Sequence, residues 1–203
     1  AVILISVWST IYKSYITDQI NTQQLPCPQI PKLANKANFQ KITPDSKLEL
    51  NVGPKLEQTN NWDRYTPEGL EIMFPNNWSG NWSTESQQRD GVYLFFAKRS
   101  SQEEGIHAAF QIGLPVTIDS DVSTWIKSCN AFQDQSLNKT SQETINGTMF
   151  EKVFNCLENR CETYYYTKRN GKLYSLNLTL GKYDVDKDKQ DLVNILHTLK
   201  FTN

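Results

Sequence analysis

Two Asn-Gly dipeptides, Asn146-Gly147 and Asn170-Gly171, divide a stretch of the chain that is rich in aromatic and β-branched residues. Asn-Gly suits the positive φ angles of the two-residue turn that joins antiparallel strands. From residue 174 to residue 180 the even positions are apolar and the odd positions are polar, which is the period of a strand with one buried face. These features predict an antiparallel sheet, and the rest of the chain must pack around it.

Further strand signals and two helices complete the predicted α+β fold class. Apolar residues at helical spacing, preceded by capping or acidic residues, predict one helix near residues 119–130 and another near residues 186–199. A short strand at Lys200-Phe201 follows the second helix. The strand runs form a meander of about six strands, and they are residues 70–74, 91–97, 106–112, 148–156, 162–168 and 172–180.

The charge balance restricts the partners of such a fold. Charged residues make up 21% of the chain, hydrophobic residues 38%, and the formal net charge is -1. A nucleic-acid-binding domain that works through bulk positive charge is excluded, because it needs a basic surface. A polytopic membrane protein is also excluded, because the apolar fraction is too low for several spanning segments.

The chain begins with twelve uncharged residues, and the first charge is Lys13. As a helix, twelve residues rise about 18 Å, whereas the core of a bilayer is about 30 Å thick. We expect residues 1–17 to form an apolar helix that ends a membrane anchor, lies in a filament core, or packs on the domain. The residues that would make these contacts, with aromatic rings at the interfacial end, are Val2, Ile3, Leu4, Ile5, Val7, Trp8, Ile11, Tyr12 and Tyr15.

Residues 18–61 have a different composition, with several Gln and Pro residues and weak apolar periodicity. Such a sequence favours extended, polyproline-like backbone. We expect a semi-rigid tether here, between the apolar helix and a head domain of residues 62–203. One alternating piece, residues 47–52, predicts a strand or an extended arm within the tether.

Two groups of residues in the head resemble the PsbP-like family of extracytoplasmic domains. One is a strand followed by Pro and Trp, and the other is a hairpin followed by a closing helix and Phe201. The residues are Tyr65-Thr66-Pro67-Glu68-Gly69-Leu70-Glu71-Ile72, Phe74-Pro75-Asn76-Asn77-Trp78 and Asn170-Gly171-Lys172-Leu173-Tyr174-Ser175-Leu176. The resemblance covers about residues 62–203. It implies a twisted antiparallel sheet with helices on both faces, an α/β/α sandwich, and a role in binding or assembly.

The beginning of the chain resembles the tail of a type IV pilin, in which an apolar helix leads through a polar segment to a head with cysteines. The acidic residue that is characteristic near the start of pilins is absent, since the fifth position holds Ile5. This resemblance implies a structural subunit that packs through its N-terminal helix in an extracellular filament.

Four cysteines permit three pairings into two disulfides. Cys156 and Cys161 flank a four-residue connection between strands, where cross-strand partners approach within bridging distance. Cys27 would then pair with Cys129 and fasten the tether to the head. Free buried thiols are the alternative, whereas a metal site is not expected because Cys-x-x-Cys spacing and nearby His are absent. Disulfides would indicate an oxidising compartment.

Two surface features are candidates for binding or modification. Trp78 and Trp82 surround a predicted turn, where they form either an exposed aromatic contact surface or a cover over the sheet edge. Five Asn-x-Ser/Thr sequons are candidate glycosylation sites, or else part of an Asn-rich polar surface. They are Asn77, Asn81, Asn138, Asn146 and Asn177.

The sequence contains no catalytic motif. Its two His residues lie about ninety positions apart, and neither a Gly-x-Ser-x-Gly motif nor a Gly-rich phosphate loop occurs. We expect a non-enzymatic protein without a cofactor. The leading hypothesis is a membrane-anchored accessory or adaptor domain of the cell envelope that binds a protein partner or copies of itself. The alternatives are a pilin-like filament subunit and a small-ligand or sugar-binding module.

Overall fold

The computed structural model describes residues 49–52, 62–66, 69–82, 92–99, 106–113, 115–129, 138–157, 160–181 and 185–202. The predicted apolar helix of residues 1–17 and most of the predicted tether lie outside these residues. In the part of the chain that is described, no helix is long and apolar enough to cross a membrane.

The described residues form two helices and eleven strands. The helices are α1 (Val122–Ser128) and α2 (Val185–Thr198). The strands are β1 (Trp62–Tyr65), β2 (Leu70–Pro75), β3 (Ser79–Trp82), β4 (Val92–Arg99), β5 (Ile106–Gly113), β6 (Val116–Thr117), β7 (Asn138–Ile145), β8 (Thr148–Leu157), β9 (Arg160–Arg169), β10 (Lys172–Gly181) and β11 (Lys200–Phe201).

The strand β10 lies at the centre of the main sheet. It pairs antiparallel with β9 over its whole length, from Lys172 opposite Arg169 to Gly181 opposite Arg160, and its other side pairs with β5. The sheet order is β3-β4-β5-β10-β9-β8-β7, and β6 also pairs with β10. The predicted hairpins are present.

Both hairpin turns have the backbone that Asn-Gly predicts. The φ angles of Asn146 and Gly147 are 48° and 77°, and those of Asn170 and Gly171 are 51° and 75°. Positive φ at both central residues is the requirement of a type I′ turn. The sequence therefore determines the register of β7 with β8 and of β9 with β10 at these two points.

A second, three-stranded sheet has the order β1-β2-β11. It joins the two ends of the head, because β11 follows the closing helix and pairs with β2 near the beginning. Gly69 starts β2 with a φ of 75°, and a Cβ there would lie 2.7 Å from the hydroxyl of Tyr174. Glycine at this position therefore allows the small sheet to approach β10.

Side chains of β10 alternate between two faces of the main sheet. On the front face, Leu176, Leu178 and Leu180 pack with α2 and the small sheet in one buried cluster. On the back face, Leu173 packs with α1 and with tyrosines of β9. Helices therefore cover both faces, and the core lies on either side of one central sheet.

Both helices lie where the sequence predicts them, but α1 is shorter than the predicted residues 119–130 and is capped by Asp121 instead of Asp119 or Ser120. Asp121 caps α1, with its Oδ1 accepting from the backbone N–H of Thr124 at 2.8 Å. Asp186 and Asp188 lie in the first turn of α2, where the positive end of the helix dipole favours carboxylates. The apolar stripe of α2 is buried on the front face, and its members are Leu192, Val193, Ile195 and Leu196.

The α+β prediction is confirmed, and each strand and helix predicted for residues 62–203 has a counterpart within a few residues of its expected bounds. Four strands are additional: β1, β3, β6 and β7. The strand β7 reads Asn-Lys-Thr-Ser-Gln-Glu-Thr-Ile, which has almost no apolar alternation. Its eight residues pair with β8 across the Asn146-Gly147 turn, so tertiary pairing defines this strand where its own sequence does not.

The prediction of an exposed aromatic surface at Trp78 is wrong. Trp78 is only 4% exposed and belongs to the front cluster. Its backbone N–H donates to the carbonyl of Pro75 at 3.0 Å, which closes a turn between β2 and β3. This turn directs the indole inward, where its large apolar area is removed from water. The side chain of Trp82 lies outside the described residues.

Candidate functional site

Lys152 is a charged residue at a core-facing position of β8. It lies two residues after Phe150 of the front cluster, and it is 2% exposed. A buried ammonium group is costly unless charged or polar partners surround it. The partners of Lys152 therefore identify a built polar site inside the head.

Three of these partners come from residues 49–52, which we call the arm. The Nζ of Lys152 donates to the Oε1 of Glu49 at 3.3 Å, to the carbonyl of Leu50, and to the Oδ1 of Asn51 at 3.1 Å. The sheet supplies a fourth partner, the Oε2 of Glu143 on β7, at 3.4 Å. A lysine in the sheet thus holds a piece of the chain about a hundred residues away in sequence.

Glu143 completes the contact from the side of β7. It accepts the backbone N–H of Val52 through Oε1 and the hydroxyl of Tyr165 through Oε2 at 3.0 Å. Burial, and then the neighbouring Glu143 charge, raise the pKa of Tyr165 far above its ordinary value. Tyr165 therefore stays neutral and donates to the carboxylate.

Glu49 binds a second lysine at the outer edge of the site. The Nζ of Lys139 lies 2.7 Å from the Oε2 of Glu49. Burial raises the pKa of Glu49, but the hydrogen bond from Lys139 and the charge of Lys152 outweigh it, so the pKa lies below its ordinary value. We call Lys139, Glu143, Lys152 and Tyr165, together with the arm, the Lys152 clamp.

An apolar anchor lies beside these polar contacts. Leu50 is 1% exposed and packs in the front cluster. Glu49 and Leu50 fall within the alternating piece for which the sequence predicts a strand or an extended arm. The end of the tether at residue 61 stays a prediction. Residues 49–52, which the sequence assigns to the tether, contact the head.

The chemistry of the clamp suits binding. Two cations, Lys139 and Lys152, face two carboxylates, Glu49 and Glu143, so the formal charges cancel. Among the described residues, no group of three or more His, Cys, Asp or Glu side chains could hold a metal ion. Sequence reasoning missed this site, although one signal was present: a lysine between Phe150 and Phe154 on the buried face of a strand.

The predicted disulfides involve Cys156 and Cys161, beside the connection between β8 and β9, and Cys129, directly after α1. Cys156 and Cys161 form a disulfide between directly opposite positions, with a Cα–Cα distance of 4.0 Å. Cys129, at the end of α1, is buried and disulfide-bonded. Its predicted partner, Cys27, lies outside the described residues, so that pairing stays a prediction.

The five sequons differ in how their amides are used. Asn77 is exposed in the turn after β2. The Nδ2 of Asn146 donates to the carbonyls of His197 and Leu199 at 2.9 and 2.8 Å. Asn177 donates to Gln111 at 3.2 Å, and Asn138 accepts from Asn155 at 3.3 Å. The side chain of Asn81 lies outside the described residues. Since a glycan attaches through Nδ2, the predicted modification fits Asn77 with less rearrangement than Asn146 or Asn177.

The residues predicted for membrane or filament contact, Val2 to Tyr15, lie outside the described part of the chain. Among the sequence-predicted site residues that the structure describes, it brings together the Cys156–Cys161 pair. The built site is instead the Lys152 clamp, which joins the beginning of the described chain to the β7 edge of the sheet.

No family model and no curated protein matches the sequence. Among solved structures, the chain is similar to cyanobacterial PsbP from Synechocystis sp. PCC 6803, at 16% identity and a TM-score of 0.49, covering 74% of this chain and 100% of that one. It is similar to the Ran-binding protein Mog1p of Saccharomyces cerevisiae, at 11% identity and a TM-score of 0.44, covering 70% and 95%. A protein of Bacteroides thetaiotaomicron is similar at 12% identity and a TM-score of 0.46, covering 70% and 49%.

Identities this low concern the fold alone. The pilin resemblance of residues 1–17 is not supported by these structures. Cyanobacterial PsbP, which is covered over its full length, bears the name of the family that the sequence motifs of residues 62–203 resemble.

Proposed function

We propose that the protein is a non-enzymatic accessory or adaptor domain of the cell envelope, with its head outside the cytoplasm and its N-terminal helix in the membrane. The observation that carries the proposal is the Lys152 clamp. It fastens residues 49–52 of the predicted tether to the head, so that the tether leaves the head at a fixed point.

The clamp changes how far the head reaches from its anchor. If residues 18–61 were wholly free, they would make 44 tether residues, about 150 Å when fully extended. With the arm held at residue 49, the distance is limited to the span of residues 18–48, which is 31 residues, or at most about 105 Å. An adaptor that presents its head at a limited distance from a membrane needs such a fixed point.

The disulfide supports the proposed compartment. Cys156 and Cys161 are bonded, and Cys129 is disulfide-bonded as well. Structural disulfides persist in secreted and envelope compartments and are rare in the reducing cytosol. This chemistry supports a proposed head outside the cytoplasm, in agreement with the predicted anchor.

The proposed partner is a protein, or further copies of this chain. The formal net charge of -1 gives no bulk positive charge for binding nucleic acid. The site that is built into the head holds an extended peptide segment by charge pairs, backbone acceptors and one apolar anchor. A domain that already binds its own chain in this way is suited to binding and assembly.

Membrane fractionation of the native protein from its natural source tests the proposal. We expect the protein in the membrane pellet after an alkaline wash, and we expect no alkylatable thiol before reduction. Protease added outside the cytoplasm should release a soluble head by cutting within residues 18–48. Recovery of a soluble monomer whose natural N-terminus is Ala1, with four alkylatable thiols, would remove the proposal.

The two alternatives stand differently. The filament hypothesis depends on residues 1–17, so it keeps the form it has from the sequence. The sugar-binding hypothesis depends on an exposed pair of indoles, and the burial of Trp78 removes one of them. We therefore advance the adaptor alone.

A further inference from the structure

The strand β7 forms one edge of the main sheet. It pairs with β8 over all eight residues, and within the described ranges no strand pairs with its outer side. Its four central residues, 139–142, are exposed. An open edge strand offers its backbone N–H and C=O groups to a further strand, so the question is which strand fits.

The sequence of β7 is complementary to itself about Ser141. Lys139 and Glu143 lie two positions on either side of Ser141, and Thr140 and Gln142 lie one position on either side. If two copies pair antiparallel about a two-fold axis at Ser141, each Lys139 stands opposite the Glu143 of the other copy. Opposite charges at directly opposed positions stabilise an antiparallel pair.

Neighbouring registers lose this match. Centring the axis on Thr140 places Lys139 opposite Ser141, and centring it on Gln142 places Lys139 opposite Ile145. A register shifted by one residue would place the odd positions of one strand opposite the even positions of the other. The second sheet would then be turned over, so that its front face continues the back face of the first, because side chains alternate with a period of two. The charge pattern therefore selects one register.

Contacts within the Lys152 clamp fix the positions of the Lys139 and Glu143 side chains, which would form the pairs between the two copies. Glu143 is held by Tyr165 and by the backbone of Val52, and Lys139 is held by Glu49. Both side chains therefore lie on the front face. The side chain of Lys139 remains 60% exposed, and its ammonium group has three donors, so it can bind Glu49 and a second carboxylate together.

We propose that the outer edge of β7 is an interface with a second copy of this chain, paired antiparallel about Ser141 so that the two main sheets continue into one. The inference rests on the protein-binding role proposed above and names its partner. A contact through one edge strand is smaller than the roughly 1,000 Å² of a stable interface, so the dimer is weak and depends on concentration.

A cysteine at the two-fold position tests this in the full-length purified chain. Directly opposite Cα atoms of antiparallel strands are about 4.5–5.5 Å apart, within the range that a disulfide spans. We expect Ser141→Cys to form a disulfide-linked dimer under mild oxidation, identified as a 141–141 peptide by mass spectrometry. The matched control is Thr140→Cys, which is exposed on the same strand and should give at least tenfold less dimer because its counterpart is Gln142.

A mixture determines the register independently. Thr140→Cys and Gln142→Cys should each cross-link poorly alone, whereas a mixture of the two should form the heterodimer at least tenfold more. Equal yields from Ser141→Cys and Thr140→Cys, or a mixture that gives no more heterodimer than the separate variants, would overturn the inference. Because these variants change exposed side chains, failure to fold does not obscure the result.

The outcomes separate this inference from the proposed function. Cross-linking is measured on purified protein, whereas compartment and anchoring are measured by fractionation of native membranes. A membrane-bound head whose Ser141→Cys variant does not dimerise removes only the inference. A dimer formed by a protein that fractionates as a soluble cytosolic chain removes only the membrane proposal.

Discussion

The front and back faces of the main sheet are covered in different ways. On the front face, the fourteen-residue α2, the small sheet and the arm pack over β10. On the back face, the seven-residue α1 packs over two tyrosines of β9. The front cluster is therefore large and covered by three separate pieces of chain. Among the described residues, the back cluster is smaller and is covered by α1 together with Val116 and Ile118.

The two faces also differ in the side chains that fill them. The back face is built of stacked rings: Tyr164 and Tyr166 are nearly parallel at 6.2 Å, and Trp125 lies 5.2 Å from Tyr166. The front face combines aliphatic residues with the buried Lys152, which is tolerated because the arm supplies its acceptors. The front face therefore depends on a distant piece of chain for its polar contacts, whereas the back face depends on ring contacts between β9 and α1.

The largest expected effect comes from two leucines of β10, one on each face of the sheet, when each is changed to Ala. Leu178 on the front face and Leu173 on the back face are both fully buried. We expect Leu178→Ala to lower the free energy of unfolding by about 4 kcal/mol and Leu173→Ala by about 2.5 kcal/mol, because a short helix can settle into part of the cavity. Urea unfolding of both variants gives the values. An equal or larger loss for Leu173→Ala would contradict the comparison.

Lys152→Met tests the dependence of the front face on the arm. The change keeps the length of the side chain but leaves the Glu49 and Glu143 carboxylates without their buried partner. We expect a loss of about 3 kcal/mol in unfolding free energy, as for other broken buried pairs. Protease cleavage close to residues 49–52 should also become faster.

The control for this change is Lys139→Met, which removes a lysine of the same clamp at an exposed position. Surface ion pairs contribute about 0–1 kcal/mol, so its loss should stay below about 1 kcal/mol. Equal losses for the two lysine variants would mean that burial of Lys152 is not what makes the clamp important.

The central part of the fold could be predicted because its signals are local. The Asn-Gly turns specify two hairpins, the alternation in β10 specifies its two faces, and the apolar stripe specifies α2. In contrast, β7 has no apolar period, and its strand conformation comes from pairing with β8. Trp78 was ambiguous for the same reason, since only the packed structure decides whether a turn directs its indole inward.

The candidate site could be predicted only in part. The alternation in residues 47–52 indicates a strand or arm, and the lysine between Phe150 and Phe154 indicates a buried charge. Neither signal reveals that the two features meet, because Glu49 and Lys152 are 103 positions apart in sequence. Contacts of that range depend on the assembled sheet, which no spacing rule describes.

The two Asn-Gly turns differ in the hydrogen bonds of their Asn side chains, and we expect their substitution to change the unfolding free energy less than the changes above. Asn146 donates two hydrogen bonds to carbonyls at the end of α2 on the front face. Asn170 holds the same position in its own turn, but its side chain makes no such hydrogen bond within the described part of the chain. Asn146→Gly keeps the positive φ and removes both bonds, so we expect a loss of about 1–2 kcal/mol. Asn170→Gly is the matched control and should change the unfolding free energy by less than about 0.5 kcal/mol.

The pH dependence of the unfolding free energy is the smallest expected effect. It should be larger for Glu49 on the front face than for Asp121 on the back face. The folded pKa of Glu49 is below its ordinary value, so the unfolded chain binds more protons between the two pKa values. The stabilisation is therefore present above the ordinary Glu pKa of about 4.3 and is lost as pH falls through the folded pKa. Glu49→Gln should be less stable than the parent at pH 7, and the gap should narrow steadily below about pH 5.

The control on the back face is Asp121→Asn. The pKa of Asp121 is lowered by hydrogen bonds from the backbone and side chain of Thr124, and the sign of its pH dependence is the same as for Glu49. Asn caps a helix about as well as Asp, and the carboxyl of Asp121 is exposed and screened by solvent. The gap between this variant and the parent should therefore change less with pH. Urea midpoints from pH 7 to pH 3 measure both gaps, and parallel curves for Glu49→Gln and the parent would show that the arm carries no acid-sensitive stability.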